Sequence, residues 1–187
     1  MHVFTEPSGD FKKSFLEALE EQSQEPLRGI LRHIEKSLGS RKHLLDWLTT
    51  HFDTYVQQLK VATHGINLPL GYVPQTHVWL VEGGNYVGRC IVRHTLDTPK
   101  SWNVGHISYE VRPSQRRLGF GQLLMHECLE IADSLALPHV YVVVHPGNIA
   151  SKKIILRAKG ELSEQFELNH QQRERYVIKL RRNHKAF

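Results

Sequence analysis

In the first third of the chain, apolar residues recur every three or four positions, which is the spacing of one helix face. Asp10 is suited to cap a first helix, and Ser40 is suited to cap a third, longer one. Between them, a second pattern follows Pro26 and stops at Gly39. The three apolar stripes are Phe11, Phe15, Ala18 and Leu19; Leu27, Ile30, Leu31, Ile34 and Leu38; and Leu44, Leu45, Leu48, Phe52, Tyr55, Val56 and Leu59. We therefore expect three helices before a loop at residues 64–74, which is rich in glycine and proline.

After this loop the pattern becomes typical of β-strands. Residues 76–81 and 86–92 are rich in β-branched and aromatic side chains, and residues 82–85 are suited to join them as a hairpin. Gly88 indicates a bulge or a close approach of another backbone. Further strands are expected at residues 106–111, 140–144, 161–168 and 175–180, helices at 119–135 and 148–158, and a loop around Pro99.

The order of these elements predicts an α/β (α+β) fold. Helices between strands imply crossovers, and the flanking hairpins imply antiparallel pairs, so we expect one mixed sheet with helices on its faces. The N-terminal helices are expected to form an accessory cap. The sequence has no internal repeat and no evident linker, so residues 1–187 are expected to form a single domain with a helical part at 1–75 and a core at 76–180.

Composition narrows the class of protein. Hydrophobic residues make up 40% of the chain and charged residues 23%, as in globular proteins. The two cysteines are too few for a disulfide framework or a zinc site, and the 13 histidines are scattered, so no metal is expected. No apolar stretch is long enough for a membrane span and no signal peptide is evident, which predicts a cytoplasmic protein without a membrane partner. The net charge of +5 favours a polyanionic partner, either nucleic acid or a phosphorylated cofactor.

The most informative stretch is residues 111–124, VRPSQRRLGFGQLL. A strand ends, a turn with two arginines follows, and Gly119 and Gly121 open a helix. Glycines let backbone N–H groups approach a ligand closely, and a helix N-terminus attracts anions. The stretch therefore indicates a diphosphate site. The P-loop of nucleotide hydrolases is excluded because no Lys-Ser/Thr pair follows, and Leu124 stands where the dinucleotide fingerprint has a third glycine.

The pattern Arg116-x-x-Gly119-x-Gly121 resembles the Q/R-x-x-G-x-G/A signature of the GCN5-related N-acetyltransferases (GNAT), in which the backbone binds the pyrophosphate of acetyl-CoA. A second match is Asn148 with Ser151, which resembles the Asn-x-x-Ala/Ser start of the next family helix. The order of elements agrees over about residues 76–180. The chain is similar to bacterial members of unassigned substrate that have a helical N-terminal extension. The resemblance implies a mostly antiparallel sheet with a central parallel splay and helices on both faces.

The resemblance also implies where acetyl-CoA binds. Val111 would offer backbone hydrogen bonds to the pantetheine arm, the following turn would hold the pyrophosphate, and Asn148 would lie on the other flank of the cofactor. The residues expected to bind it are Val111, Arg116, Arg117, Leu118, Gly119, Phe120, Gly121, Gln122, Asn148 and Ser151.

Several of these positions have a simpler explanation. Asn148 also suits a plain helix cap, and Arg112 is expected to be a solvated surface arginine. For Lys152, Lys153 and Arg157, a solvated helix face and contact with the 3′-phosphate of coenzyme A both remain open.

The catalytic groups are less evident. Many family members carry a tyrosine seven residues after the helix-opening asparagine as general acid, but this chain has Ile155 there, and the glycine that normally ends the helix is displaced to Gly160. The acid is then another group, or water, or is not needed. His106 and Glu110 are the candidate general bases. The alternatives are a surface histidine for the first and an exposed or salt-bridged carboxylate for the second.

The resemblance implies an acetyl-CoA-dependent N-acetyltransferase that acts on a primary amine of a small molecule or a peptide. Direct transfer is expected because neither cysteine lies beside the glycines in sequence. The alternative function is a non-catalytic acyl-CoA-binding sensor, which the missing tyrosine favours. Nucleic-acid binding is not expected, because the arginines concentrate at one glycine turn. The amine acceptor, and the choice between a monomer and a homodimer, remain open.

Overall fold

The computed structural model describes residues 1–180, so the last seven residues of the expected domain lie outside the described part. Seven strands form one sheet in the order β1-β2-β3-β4-β5-β7-β6. The strands are β1 (His2–Thr5), β2 (Gln75–Glu82), β3 (Asn85–Arg93), β4 (Ile107–Val111), β5 (His139–Val144), β6 (Glu161–Leu168) and β7 (Gln171–Lys179). The α-helices are α1 (Lys12–Glu21), α2 (Gly29–Leu38), α3 (Arg41–Val61), α4 (Pro99–Val104), α5 (Phe120–Ser134) and α6 (Ile149–Arg157).

The sheet is antiparallel except at its centre, where β4 and β5 run parallel. These two strands share a single register pair, Ile107 with Val142, and separate beyond it. β4 is held on its other side by five register pairs with β3, and β5 by six with β7. The expected mixed, mostly antiparallel sheet with a central splay is therefore confirmed.

Each face of the sheet carries a hydrophobic core, because the apolar stripes of the helices pack against it. On one face α1, α2 and α3 cover the strands, and the ring of Phe15 stacks on the fully buried ring of Trp79 with centroids 4.9 Å apart. On the other face α5 and α6 bury side chains such as Leu124 and Ile155. Helices on both faces and an N-terminal helical extension are thus confirmed. No helix within residues 1–180 is both long and apolar enough to cross a membrane.

Two elements were not predicted. β1 has only four residues at the edge of the sheet, too few for an alternating pattern to stand out. α4 replaces the loop expected around Pro99. It begins after Thr98, whose hydroxyl accepts a hydrogen bond from the Ser101 N–H at 3.0 Å, and Pro99 fits the first helical position. The last hairpin is also tighter than expected, since β7 begins at Gln171.

Gly88 lies both at a β-bulge and at a close approach of another backbone, the two features that its position in the sequence indicated. The register between β2 and β3 shifts beside it, from Leu80 opposite Gly88 to Val81 opposite Tyr86. A Cβ atom on Gly88 would lie 2.5 Å from the carbonyl oxygen of Glu110. The bulge and the close approach together bring β3 against the end of β4.

Helix α6 ends in a left-handed residue that is not glycine. Lys159 follows the helix with φ of 61°, and the Gly160 N–H then donates to the Ile155 carbonyl at 2.9 Å. Because the glycine stands one residue later, at Gly160, Lys159 adopts the left-handed conformation that favours glycine. A non-glycine residue there costs roughly 1–2 kcal/mol of backbone strain.

We expect Lys159→Gly to stabilise the fold by about 0.5–1 kcal/mol, because the relieved strain exceeds the roughly 0.5–1 kcal/mol of added chain entropy in the unfolded state. Urea denaturation measures this as a higher midpoint with an unchanged slope. Lys159→Ala is the matched control, since it removes the charge and keeps the strain. An equal gain in Lys159→Ala would show that charge, not backbone conformation, limits stability here.

Candidate functional site

A cleft of about 550 Å³ opens at the end of β4. Its walls are the end of β4, the turn into α5, one face of α6 and the segment between α1 and α2. All of the residues predicted to bind the cofactor line this cleft except Leu118 and Phe120. The Leu118 side chain is exposed, and Phe120 is buried in the hydrophobic core. The fold therefore brings the two sequence motifs to one place.

The end of β4 leaves backbone groups without a strand partner. The Arg112 N–H donates to the Val87 carbonyl of β3 at 2.8 Å. Neighbouring residues of a strand direct their backbone groups to opposite sides, so those of Val111 face away from β3. On that side the pairing with β5 has already ended at Ile107. Val111 therefore offers its N–H group at the opening between the two strands.

The cradle, which we define as residues 116–121, forms the floor of the cleft. Arg117 and Gly119 have left-handed φ values of 70° and 89° and bend the chain into α5. Gly119 occupies the N-cap of α5 and offers no side chain to its first N–H groups, which remain for a ligand or water. A Cβ atom on Gly121 would lie 2.8 Å from Cδ1 of Ile154 in α6. A larger residue at 121 would therefore intrude between α5 and α6.

Arg116 is engaged by a carboxylate from the N-terminal helices. Its Nη1 and Nη2 donate to the two oxygens of Glu25 at 2.6 and 2.8 Å, and its Nε donates to the Val111 carbonyl at 3.2 Å. The hydrogen bonds to Arg116 lower the pKa of Glu25 and keep it charged. Glu25 also lines the cleft, so this ion pair ties the segment after α1 across the cradle.

Arg112 is not the solvated surface arginine that the sequence suggested. Its guanidinium lies 2.7 Å from Glu21 and 3.4 Å from Glu17, and its side chain is 14% exposed. Glu21 also accepts a hydrogen bond from the Ser114 N–H at 2.9 Å. The prediction was wrong because the acidic face of α1 folds over the turn after β4. Arg112 does not line the cleft.

Glu110 lines the cleft and is salt-bridged. Its Oε2 accepts from Nε and Nη2 of Arg89, its register partner on β3, at 3.0 and 2.7 Å. Arg89 is buried and also donates to the Tyr55 hydroxyl at 3.3 Å. Burial raises the pKa of Tyr55 to about 12, so Tyr55 stays protonated. Within residues 1–180, Oε1 of Glu110 has no hydrogen-bond partner, which leaves one carboxylate oxygen free in a fixed orientation.

His106 lies elsewhere. It is buried rather than on the surface, and its Nδ1 accepts a hydrogen bond from the Tyr141 N–H at 3.1 Å. Burial lowers its pKa to about 4, so the ring is neutral at ordinary pH. His106 does not line the cleft. The structure thus brings Glu110 to the cradle but not His106, whose catalytic role stays a prediction.

The α6 wall combines a helix cap with two cations. Asn148 accepts a hydrogen bond from the Ser151 N–H at 3.1 Å, as the simpler reading predicted, and it lines the cleft as well. Lys153 and Arg157 line the cleft, whereas Lys152 turns to Glu174 on β7 at 2.8 Å. Of the three basic residues, Lys152 therefore forms a largely buried ion pair, and Lys153 and Arg157 face the cleft.

The cleft has an excess of positive charge. Four of its cationic side chains form no ion pair with a described residue, while its two carboxylates are already paired. The unpaired cations are Arg28, Arg117, Lys153 and Arg157. Such a surface, next to a helix N-terminus, fits a ligand with several phosphates. Within the described chain, no three His, Cys, Asp or Glu side chains form a group that could hold a metal ion.

Sequence analysis missed Tyr109. Its side chain lines the cleft, and its hydroxyl oxygen is buried without a hydrogen-bond partner among residues 1–180. Burial raises the pKa of Tyr109, and the nearby Ser151 hydroxyl offsets part of the rise. By contrast Ile155, at the position where the family carries its tyrosine, is fully buried in the core and faces away from the cleft.

Solved structures of acetyltransferases share this fold. The ribosomal-protein-S18-alanine N-acetyltransferase of Escherichia coli covers 100% of this chain and 99% of its own, at 12% identity and a TM-score of 0.55. The structure of yncA from Salmonella typhimurium with its cofactor acetyl-CoA covers 98% and 95%, at 11% identity and a TM-score of 0.57. An N-acetyltransferase of Staphylococcus aureus Mu50 covers 97% and 99%, at 12% identity and a TM-score of 0.57. At these identities the likeness establishes the fold alone.

No curated protein matches the chain in sequence. The family model described as Acetyltransferase (GNAT) family matches residues 41–159, which is more than half of the chain and includes the cradle and all of α6. The match, together with the splayed sheet and the glycine cradle at its centre, means that this chain belongs to the GNAT acetyltransferase family.

Proposed function

We propose that this chain transfers the acetyl group of acetyl-CoA directly to a primary amine of a small molecule or a peptide. The observation that carries the proposal is the cleft at the divergence of β4 from β5, with the open N-terminus of α5 as its floor and unpaired cations on its walls. A phosphate-bearing ligand with a long, amide-containing arm fits both features.

The proposed binding roles follow from the position of each group. The N–H groups at the start of α5 and the Arg117 side chain take the diphosphate, and the Val111 backbone takes the pantetheine arm. In this proposal Asn148 and Ser151 flank the arm from α6, and Lys153 and Arg157, which line the cleft, bind the 3′-phosphate. Gln122 lies in the first turn of α5. For Leu118 and Phe120, whose side chains lie outside the cleft, only backbone groups take part.

Glu110 is the proposed base. The bound cofactor supplies an activated acetyl thioester, and attack on it requires an amine without its extra proton. Oε1 of Glu110 is free to accept that proton, directly or through water, while Arg89 holds the other oxygen. Cys90 and Cys128 are buried and neither lines the cleft, so neither is available to carry the acetyl group as an acyl-enzyme. This supports direct transfer from the cofactor to the amine. The N-terminal segment that contributes Arg28 forms the proposed acceptor wall, so both parts of the expected domain serve one site.

The proposal predicts that the protein binds coenzyme A and consumes acetyl-CoA in the presence of an amine from a panel of small amines and peptides. Calorimetry measures the first and thiol release the second. Gly121→Val should weaken coenzyme A binding at least tenfold, about 1.4 kcal/mol, because its side chain intrudes beside Ile154. Gly121→Ala is the smaller step and should lose less. Binding without acetyl transfer to any acceptor would instead support a non-catalytic sensor.

A second prediction distinguishes the two candidate bases. Glu110→Gln keeps an oxygen for Arg89 but removes the basic group, and it should lower kcat about 100-fold while leaving coenzyme A affinity unchanged. His106→Gln should leave kcat within about twofold, because His106 lies outside the cleft. Thermal unfolding of both variants checks that each is folded. A large kcat loss in His106→Gln with none in Glu110→Gln would reverse the assignment.

The third prediction concerns Arg116, which the structure pairs with Glu25 and the sequence motif assigns to the cofactor. If Arg116 passes to the diphosphate on binding, Arg116→Ala should weaken coenzyme A binding by ~1–3 kcal/mol. Glu25→Gln should then tighten binding, because the competing carboxylate is gone. Arg112→Ala is the matched control, since Arg112 pairs with Glu21 outside the cleft. Equal losses for the two arginine variants would refute a specific role for Arg116.

A further inference from the structure

We propose that Tyr109 is the proton donor to the sulfur atom that leaves when acetyl-CoA gives up its acetyl group. The inference rests on the proposed acetyl transfer and concerns a residue on β4, whereas the position where the family carries its tyrosine holds Ile155. Tyr109 is the one tyrosine among the residues that line the cleft in the described chain.

The first support is the unsatisfied hydroxyl. The Tyr109 oxygen is buried and has no hydrogen-bond partner within residues 1–180. Buried polar groups in folded proteins are almost always paired, and one left unpaired costs free energy unless water or a ligand completes it. The Ser151 hydroxyl lies near the Tyr109 oxygen without forming a hydrogen bond of good geometry, and both residues line the cleft, so a group bound in the cleft can complete the Tyr109 hydroxyl.

The second support is the position of the ring beside the cradle. Cε2 of Tyr109 and Cγ2 of Val111 each lie 3.9 Å from the point where a Cβ atom of Gly121 would stand. Tyr109 is thus on the same face of β4 as Val111, whose backbone is the proposed contact of the pantetheine arm. The Tyr109 ring therefore lies along the course of that arm.

The third support is the alternation of side chains along β4. Successive side chains of a strand point to opposite faces, so Glu110 lies on the other face, with Arg89 and Tyr55. Both Tyr109 and Glu110 nevertheless line the cleft, because it opens at the end of the strand. One strand therefore presents a proton acceptor and a proton donor at neighbouring positions, which is what amine attack on a thioester requires.

The other cleft residues are poorer donors. The positions of α6 that face the cleft are Ala150, Ser151, Lys153, Ile154 and Arg157. None carries a phenol or a carboxylic acid, and the two cations among them are the proposed contacts of the 3′-phosphate. Burial raises the pKa of Tyr109, so its proton is in place at neutral pH.

The protons and electrons of the acetyl-transfer step balance. A bond forms between the amine nitrogen and the acetyl carbon, and the carbon–sulfur bond breaks with its electron pair remaining on sulfur. Glu110 first passes the extra proton of the ammonium form to water and then accepts the proton that the neutral amine loses on attack, while Tyr109 donates its phenolic proton to the sulfur. Exchange with water then returns a proton to Tyr109 and removes the one from Glu110, so no oxidant or further reactant is needed.

The test compares the wild type, Tyr109→Phe and the control Tyr141→Phe, which alters a tyrosine of β5 outside the cleft. For each we would measure the Kd of coenzyme A, kcat with a working amine, and the pKa of the bound coenzyme A thiol from its thiolate absorbance. A phenol that donates to sulfur stabilises the thiolate, so Tyr109→Phe should raise the thiol pKa by about half a unit to one unit. It should also lower kcat at least tenfold with Kd within about twofold. Tyr141→Phe should change none of the three.

The other outcomes overturn the proposal. A weaker Kd with unchanged kcat and thiol pKa would mean that the hydroxyl only binds the pantetheine arm. No change in any quantity would mean that Tyr109 has no role in the reaction. A wild type that binds no coenzyme A would refute the proposed function itself. The thiol titration needs no acceptor, so it also decides the matter if Tyr109→Phe reduces activity through a loss of stability.

Discussion

Strands β4 and β5 share one register pair, Ile107 with Val142, and the site depends on their separation after it. Backbone groups inside a sheet are normally satisfied by the neighbouring strand, and unpaired ones are costly unless water or a ligand takes them. The sheet tolerates the gap because β3 holds β4 and β7 holds β5 on their outer sides. The gap thus leaves the Val111 N–H group available to a ligand, while the Val111 carbonyl accepts a hydrogen bond from Arg116. The cradle begins a few residues later, so both features serve one ligand.

The segment between α1 and α2 forms one wall of the site. The position of the N-terminal helices is set by an aromatic core, in which the ring of Phe15 packs against both Trp79 and Phe52. Acidic residues then tie them to the turn after β4, with Glu21 on Arg112 and Glu25 on Arg116. The pair with Arg116 is about half exposed and contributes little to stability, as exposed pairs do. Its significance is positional, because it holds Glu25 and the neighbouring Arg28 over the cleft.

Local patterns in the sequence were enough to predict most of the fold. The stripe of α3 and the β-branched and aromatic residues of β2 and β3 are repeated signals over many residues, and the glycines of the cradle form a motif whose backbone can approach a ligand closely. β1 was too short to carry such a signal. α4 has a capping pattern at Thr98, but the helix has only six residues and begins with a proline, so its sequence also suits a loop.

The parts of the site that sequence analysis missed are contacts between distant segments. Glu25 and Arg116 are 91 residues apart, and no local pattern predicts their ion pair. Arg112 was likewise predicted to be solvated because its partners, Glu17 and Glu21, are distant in the sequence. Tyr109 reads as an ordinary strand residue, and only the fold reveals that its hydroxyl is buried without a partner at the cleft. The buried state of His106 likewise depends on β5, whose Tyr141 N–H bonds to its ring.

The most direct test of the central claim is a crystal structure of the protein with coenzyme A. We expect the diphosphate at the N-terminus of α5, within hydrogen-bond distance of the backbone N–H groups of the cradle. We also expect the pantetheine arm in the opening between β4 and β5, hydrogen-bonded to the Val111 backbone. Coenzyme A bound outside this opening, or with its diphosphate away from Gly119 and Gly121, would contradict that claim.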